Sequence, residues 1–473
     1  MLFNSIVFLI FFVVVTVLYF ALAPRFRWIL LLVASCYFYM YFYPPYLLIL
    51  IFLILVDYFA AIVIDNASTE KRKKAWLTIS LIGNLGMLAF FKYYNFLLDN
   101  VDQLCAPLGW HNPMPIMNIL LPIGLSFHTF QSMSYTIEVY RGNVKPERHL
   151  GIYSLFVMFY PQLVAGPIER GTTLLPQLKK NDNRLEYDNV MIGLSQMLYG
   201  FFKKVVVADS LAMYVNSIYN YGNFNTGFTA LFATWMFAFQ IYCDFSGYSD
   251  IAIGAGRVMG YRMMTNFTIP YFSKSVTEFW RRWHISLSSW LRDYLYISLG
   301  GNRKGKFRTY LNNMLTMLLG GLWHGASWNY VIWGGLNGMY LAGEKMFNVK
   351  VNKPAMPFWK KAVYAFITFN LICLTWVFFR AHTFSSAMGI LHSIFNPVDW
   401  FNLRIQDTSI FFNMVSMLAL LLLFDYFIFR KKNAETFYKD SSRLVFSGFH
   451  LLLLVIILLF GVSEGDQFIY FQF

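Results

Sequence analysis

An all-α polytopic membrane protein is the fold class this sequence predicts, on three observations. The 473 residues are 58% hydrophobic and 20% aromatic with only 13% charged, more apolar surface than a soluble core can use. Many apolar runs approach the roughly 20 residues a helix needs to cross a bilayer. The runs are continuous, not alternating, which suits helices with internally paired backbones and not the strands of an outer-membrane barrel.

Apolar segments near 6–23, 28–42 and 47–64 open the chain. Arg25 and Arg27 follow the first, and Lys71, Arg72, Lys73 and Lys74 follow the third. Basic residues gather at the cytoplasmic ends of spans, so both clusters lie inside when the N-terminus lies outside. The opening MLFNSIVFLIFF has no basic leader and no small-residue cleavage pattern, and reads as a retained span, not a signal peptide. A fourth span near 76–97 exits to the connection 98–117, which has no lysine or arginine. Lys92 within that span must snorkel or face protein. A fifth span, 118–138, returns to Arg141, Lys145 and Arg148.

Between 150 and 210 positive residues flank both sides of the apolar run: Lys179, Lys180 and Arg184 before it, Lys203 and Lys204 after it. Broken or re-entrant helices fit that pattern better than clean alternation. No basic residue then occurs until Arg257, an interval that holds an outer loop near 217–227 and a descending span near 228–243. From 257 to 308 ten basic residues are interleaved with aromatic ones, as in VTEFWRRWHISLSSWLRDYLYISLG. This reads as one or more helices at or just below the inner interface. Spans near 311–322, 328–343, 362–379, 411–429 and 445–461 follow, placing Lys431 and Lys432 inside and the C-terminal EGDQFIYFQF outside. The count is about eleven to thirteen transmembrane or re-entrant helices. They form one integral-membrane domain over 1–473, with no separate soluble domain and no internal repeat.

The formal net charge of +14 sits mostly in short connections. It is accounted for by topology and anionic membrane lipids, and not by nucleic acid. Cys36, Cys105, Cys243 and Cys373 are scattered and form neither a disulfide framework nor a metal set. The eight histidines include no HExxH or comparable ligand spacing, so no metal site is expected.

Chemistry centres on GGLWHGASWN at 320–329. Sixteen residues separate His324 from Arg308 at the inner side, a helical rise of about 24 Å into a hydrocarbon core about 30 Å thick. The next run returns to Glu344 and Lys345, so His324 belongs near the tip of a buried hairpin. Gly320, Gly321 and Gly325 permit close approach or a bend, and Trp323, Trp328 and Trp333 supply apolar walls. An ionisable ring at that depth is either a satisfied core histidine or a functional group. His284 lies in EFWRRWHISLSSWLRDY, where it is either interfacial or, as an imidazole near neutrality, able to move protons. Arg281 and Arg282 serve as inside anchors or as contacts for a phosphate-bearing donor. The polar run Gln240–Asp250 can line a pocket, cap a helix or brace a buried histidine. Asp244 and Asp250, six apart, do not share a face of a regular helix and are not read as an acid/base pair.

Taken together, LPIGLSFHTFQSMSYTIEVYRG (121–142), PQLVAGPIERGTTLLPQL (161–178), GFFKKVVVADSLA (200–212), QIYCDFSGYSDIAIGAGRVMGYRMMTNFTIPY (240–271), EFWRRWHISLSSWLRDYLYISLGGNR (278–303), GGLWHGASWNYVIWGGLNG (320–338) and TWVFFRA (375–381) resemble the membrane-bound O-acyltransferase family. The likeness covers essentially the whole chain, with 118–345 as the family core, and is greatest to the bacterial branch that acetylates alginate and other polysaccharides. It implies a ring-like helical wall around a thinned centre with a buried catalytic channel. It also implies that His324 is the principal catalytic histidine and His284 the second characteristic polar position. Acetyl-CoA is the implied cytosolic donor, used as a substrate with no tightly bound cofactor. The acceptor is an extracytoplasmic polysaccharide or a partner acyltransferase, and the location is the bacterial cytoplasmic membrane.

On that reading His324 deprotonates the acceptor hydroxyl and then helps protonate the departing thiol, while His284 orients a substrate or relays a proton. The developing oxyanion needs donors, with Asn329, Trp or Tyr side chains and backbone amides near Gly325 as candidates. Two alternatives remain open at this stage. One is the same fold fed by an acyl-carrier protein or another donor for cell-wall decoration. The other is a proton-coupled transporter in which the helix break carries substrate without acyl chemistry.

Overall fold

Backbone N–H and C=O groups in hydrocarbon must pair within their own segment, and every regular element among the described residues is helical. The computed structural model describes residues 1–109, 113–117, 121–164, 166–180, 182–220, 226–349, 356–398, 400–401, 408–430, 437–439, 441–462 and 468–469. Lys431, Lys432, most of the C-terminal EGDQFIYFQF and part of the two expected outer loops lie outside the described residues. The chain divides into two units, Met1–Met191 with Ala255–Met264, and Ile192–Gly254 with Thr265–Phe473.

The first unit is built from α1 (Ile6–Ala21), α2 (Pro24–Met40), α3 (Tyr46–Asn66), α4 (Glu70–Leu88), α5 (Tyr94–Cys105), α6 (Leu125–Tyr140), α7 (Leu150–Met158) and α8 (Leu174–Lys180). Ser5 caps α1 by accepting from the Phe8 N–H, and Pro24 begins α2, where its missing N–H costs nothing. The four basic residues expected to follow α3 occupy the first turns of α4, behind the Thr69 cap. The fourth expected span is longer than its apolar run suggested, because a π-helical segment, Ala89–Tyr93, carries α4 into α5. Lys92 lies on that segment, half-buried. Arg27, read from sequence as part of a cytoplasmic basic cluster, is buried, donating to the carbonyls of Asn183 (2.5 Å) and Leu22 (3.2 Å).

α3 packs against α4 and α6, and the interface carries one buried carboxylate, Asp57. The Ser80 hydroxyl donates to it at 2.5 Å and the Asn84 amide donates to both its oxygens at 3.0 and 2.9 Å. Ser80 and Asn84 are four apart on α4 and therefore share a face, so three polar groups close on one another between apolar helices.

The second unit holds α9 (Tyr187–Phe201, whose first turn belongs to the first unit), α10 (Asp209–Tyr219), α11 (Gly227–Val258, whose last turn does likewise), α12 (Val276–Trp280), α13 (Ile285–Trp290), α14 (Gly305–His324), α15 (Trp328–Met346), α16 (Phe358–Arg380), α17 (Phe384–Phe395), α18 (Thr408–Arg430) and α19 (Arg443–Phe460). A π-helical segment, Phe202–Ala208, fuses α9 to α10, and another, Leu291–Tyr296, extends α13. The broken pattern expected for 150–210 is present, and 257–308 contains short helices. Two corrections concern helix extent. The span expected to end near 243 continues to Val258, so Gln240–Asp250 lies within α11 and not after it. The helix α17 was not anticipated.

α14 and α15 form a close hairpin. A Cβ on Gly321 would strike the Tyr330 carbonyl, and one on Gly334 would strike the Met317 carbonyl. Among the described residues five helical stretches, Tyr46–Asn66, Glu70–Leu108, Tyr187–Tyr219, Phe358–Arg380 and Thr408–Ile428, are long and apolar enough to cross a membrane. The all-α, multi-pass class holds.

Replacing Asp57 by Ala leaves the Ser80 hydroxyl and the Asn84 amide without their buried acceptor, a loss of about 1–3 kcal/mol. Asp57→Asn, which keeps an acceptor oxygen, should lose less. Thermal unfolding in detergent should rank the melting temperatures wild type, Asn, Ala.

Candidate functional site

α14 ends at His324, after which Gly325 turns extended and the Ser327 hydroxyl caps α15 by accepting from the Asn329 N–H at 3.3 Å. His324 is therefore at the hairpin tip, as expected, and it is buried. Three rings cage it edge-on: Trp323 at 4.9 Å between centroids, Trp333 at 5.0 Å and Phe379 at 5.4 Å. Gly325 is required beside it, since a Cβ there would enter the Tyr330 ring.

His284 is fully buried in the turn between α12 and α13. Its backbone is left-handed, φ +43°, a conformation costing about 1–2 kcal/mol for a side-chain-bearing residue. Neighbouring backbone bonds hold that turn in place: Thr268 N–H donates to the Arg282 carbonyl and Ile285 N–H to the Asn266 carbonyl, both at 2.9 Å. From the other side, Glu344 on α15 caps α12, accepting from the Val276 N–H and, at 2.9 and 2.7 Å, from the Thr277 N–H and hydroxyl. Trp323 links the two histidines, its ring 6.4 Å from that of His284.

The Asn266 side chain settles the tautomer of His284. The Ser286 backbone N–H, which can only donate, points at Asn266 Oδ1 (3.2 Å), so the facing amide atom is the oxygen. His284 Nδ1 lies 3.1 Å from the same oxygen and must carry the proton. A neutral His284 therefore keeps its basic lone pair on Nε2. The Ser286 hydroxyl also donates to Oδ1 (3.0 Å), and Asn266 Nδ2 donates to Ser249 (3.2 Å). Phe245, 4.6 Å away edge-on, closes the pocket around the ring.

A cavity of about 330 Å³ opens beside the hairpin tip. Gly325, Ala326, Asn329, Tyr330 and Phe379 form one wall, and Lys204, Asp209, Gln240 and Asp244 another; Arg380 and His382 also border it. His324 itself packs against Phe379, which borders the cavity, and is not on the wall. Asn329 borders the cavity, its amide donating to the Ala381 carbonyl at 2.9 Å. Arg281 is exposed, Arg282 pairs with Glu278 at 2.6 Å, and neither borders this cavity.

Lys203 and Lys204, read from sequence as topology markers, are both buried. Lys204 lies 2.7 Å from Asp209 and 2.8 Å from Asp244, while Lys203 pairs with Asp250. Asp244 and Asp250 thus do share a helix but serve different lysines, in keeping with their six-residue separation. Among the described residues no group of three or more His, Cys, Asp or Glu side chains is placed to hold a metal ion.

The sequence that carries this arrangement has counterparts among known proteins. The sequence pattern of the membrane-bound O-acyltransferase family matches residues 121–388, which include both histidines. The chain belongs to that family. It is 44% identical over 330 residues to a probable alginate O-acetylase of Pseudomonas putida, covering 70% of this chain and 66% of that protein. Against a peptidoglycan O-acetyltransferase of Helicobacter pylori it is 33% identical over 460 residues, 87% and 85% of the two chains. Against a teichoic acid D-alanyltransferase of Bacillus subtilis it is 27% identical over 281 residues, 57% and 71%. The chain spans just under two thirds of the length of the alginate O-acetylases it matches. Within this candidate site, Asn266 is a residue sequence reasoning passed over. Its signal was an asparagine in the quoted run MTNFTIPY, with nothing local to pair it with a histidine 18 residues on.

Asn266→Ala removes the acceptor of three donors, two from Ser286 and one from His284. It should lower stability by about 1–3 kcal/mol and release the histidine's tautomer. Asn266→Asp retains the acceptor oxygen and should keep more of both stability and activity. Melting temperatures and turnover of the two variants measured side by side check this ordering.

Proposed function

We propose that this protein is a polysaccharide O-acetyltransferase component of the bacterial cytoplasmic membrane. It moves an acetyl group from cytosolic acetyl-CoA toward an extracytoplasmic glycan, directly or by way of a partner acyltransferase. The observation that carries the reading is His324 at the tip of the α14–α15 hairpin, caged by aromatic rings next to a cavity of about 330 Å³ with polar walls. Support comes from the acetyl-transferring relatives, two of which act on polymers by name.

In this mechanism the acceptor hydroxyl attacks the thioester carbonyl carbon as His324 takes its proton, and His324 returns the proton to the departing thiol. The C-terminal end of a helix favours a cation, which suits the imidazolium formed at the last residue of α14. His284, with its proton fixed on Nδ1, orients the donor or acceptor or relays a proton through Nε2. Arg281 and Arg282 face the phosphate-bearing donor, and Asn329 contacts substrate in the cavity. The whole of 1–473 works as one integral-membrane domain with 118–345 as its core, with both termini outside and lipid around the apolar faces. A large charged donor then stays cytosolic while only its acyl group crosses.

The likeness to teichoic acid D-alanyltransferases favours one second reading, the same chemistry fed by a different acyl donor such as an acyl-carrier protein.

Membranes containing wild-type protein, supplied with labelled acetyl-CoA and an extracytoplasmic acceptor fraction, should transfer label. His324→Ala, at matched expression and folding, should transfer at least about 10²-fold less, the usual worth of a general base. Equal labelling by both would sink the catalytic role of His324. Labelling by neither, with transfer restored by an acyl-carrier-protein thioester, would move the assignment to the second reading.

A further inference from the structure

Buried indole N–H groups ordinarily find a hydrogen-bond partner, and each one that does not calls for an explanation. Trp333 and Trp376 are both almost wholly buried, and the Nε1–H of each has no partner among the described residues. They are not scattered. The two indoles stack on each other at 5.7 Å with planes 24° apart. Trp333 meets the His324 ring at 5.0 Å, and both indoles pack on Phe379, which itself lies 5.4 Å from His324. Trp333 thus stands against the histidine of the site and Trp376 one ring further out, each with an indole N–H that has no partner among the described residues. Asn329, another side-chain candidate, already spends an amide hydrogen on the Ala381 carbonyl.

We propose that Trp333 and Trp376 are the oxyanion-stabilising donors of the acyl transfer, their indole N–H groups receiving the carbonyl oxygen of the acyl thioester. This rests on the acyltransferase reading above. As the acceptor oxygen bonds to the carbonyl carbon and His324 takes the hydroxyl proton, the carbonyl π pair moves onto oxygen. The two indoles then hold the resulting negative charge. The pair returns to re-form C=O, the C–S bond breaks, and the leaving sulfur takes the proton back from His324, so thioester and alcohol become ester and thiol. An indole is suited to this place because it supplies a single donor without an acceptor and without a formal charge, so it favours an oxyanion without trapping a cation. A preformed donor in a dry aromatic cage does not have to reorganise when the charge appears.

The test compares the protein carrying Trp, Phe or 3-benzothienylalanine, in which sulfur replaces the indole N–H at nearly unchanged shape, at position 333 and at position 376. Turnover is followed in membranes with a labelled acyl thioester, and melting temperature in detergent. Loss of one oxyanion donor costs about 10²–10³ in kcat. The expected result is a loss of that size with both Phe and benzothienylalanine at each position, with KM for the donor changed little and the benzothienylalanine protein melting like wild type. Full activity with benzothienylalanine would overturn the proposal, since it would assign any Phe defect to packing. A defect confined to KM would overturn it as well, by making the indoles general binding contacts. Absence of wild-type turnover with every acyl thioester supplied would overturn the acyltransferase reading and this inference with it, a failure distinct from an active wild type that tolerates the substitutions.

Discussion

Neutralisation of charge inside an apolar envelope is the constraint on which the second unit depends. Lys203 and Lys204 are adjacent on the π-helical segment between α9 and α10 and both are buried. Each is held by carboxylates from α10 or α11: Asp209 and Asp244 for Lys204, Asp250 for Lys203. Attraction between charges at such distances is strong where water is excluded, but desolvation consumes most of it. The network is therefore better understood as specifying geometry than as adding stability. Removing one partner would strand the others, which is why such an arrangement locks the π segment to α11. Tyr199 and Tyr242 extend the lock by donating to Asp425 on α18 at 2.7 and 3.0 Å. Asp244 also accepts from the Ile469 N–H at 2.7 Å. Because Lys204, Asp209 and Asp244 border the large cavity, its polar wall is also the strut that holds α9–α11 in place.

The two histidines are supported in different ways, and the difference matches different tasks. His284 is fixed by polar contacts: a left-handed backbone, two clamping backbone bonds and one asparagine oxygen. His324 is fixed by shape, between Trp323, Trp333 and Phe379. Aromatic walls fix the plane and position of an imidazole, which suits a group that must gain and lose a proton in one cycle. A ring whose tautomer is locked by Asn266 is instead suited to orienting or relaying.

How much of this was legible follows from which interactions are local. The helix α14 and its tip were readable because hydrophobic length, the distance from Arg308 and the glycines around His324 all lie within one short stretch. The π segments were not, since nothing in GFFKKVVVAD separates a widened turn from an ordinary one. The basic pair in it looked like any inner-face marker until Asp244 and Asp250, some forty residues on, were seen to reach it. The continuation of α11 to Val258 was hidden for a related reason: its polar stretch reads as the end of a span unless those side chains have buried partners. The burial of Arg27 was hidden in the same way, because its acceptors, the Asn183 and Leu22 carbonyls, are backbone atoms with no sequence signature. Asn266 could be found as part of a family motif but not assigned its role, because the evidence for that role is a geometry shared with Ser286 and His284.

Small residues explain why the catalytic candidate can occur on a hairpin at all. A helix ending inside a membrane leaves carbonyls that need partners and exposes a turn that is costly in lipid. The solution here is to shield the turn with protein. Gly321 and Gly334 let α14 and α15 approach until backbone meets backbone, and Gly325 admits the Tyr330 ring against the break itself. The turn is then only the three residues Gly325–Ser327, with Ser327 capping the next helix. Any side chain at these glycines would force the helices apart and open the aromatic cage around His324, because Trp333 and Tyr330 are carried by the same face of α15. The glycines of GGLWHGASWNYVIWGG and its Trp323 and Trp333 are therefore one device, in which close backbone approach is what brings these two indoles to the imidazole.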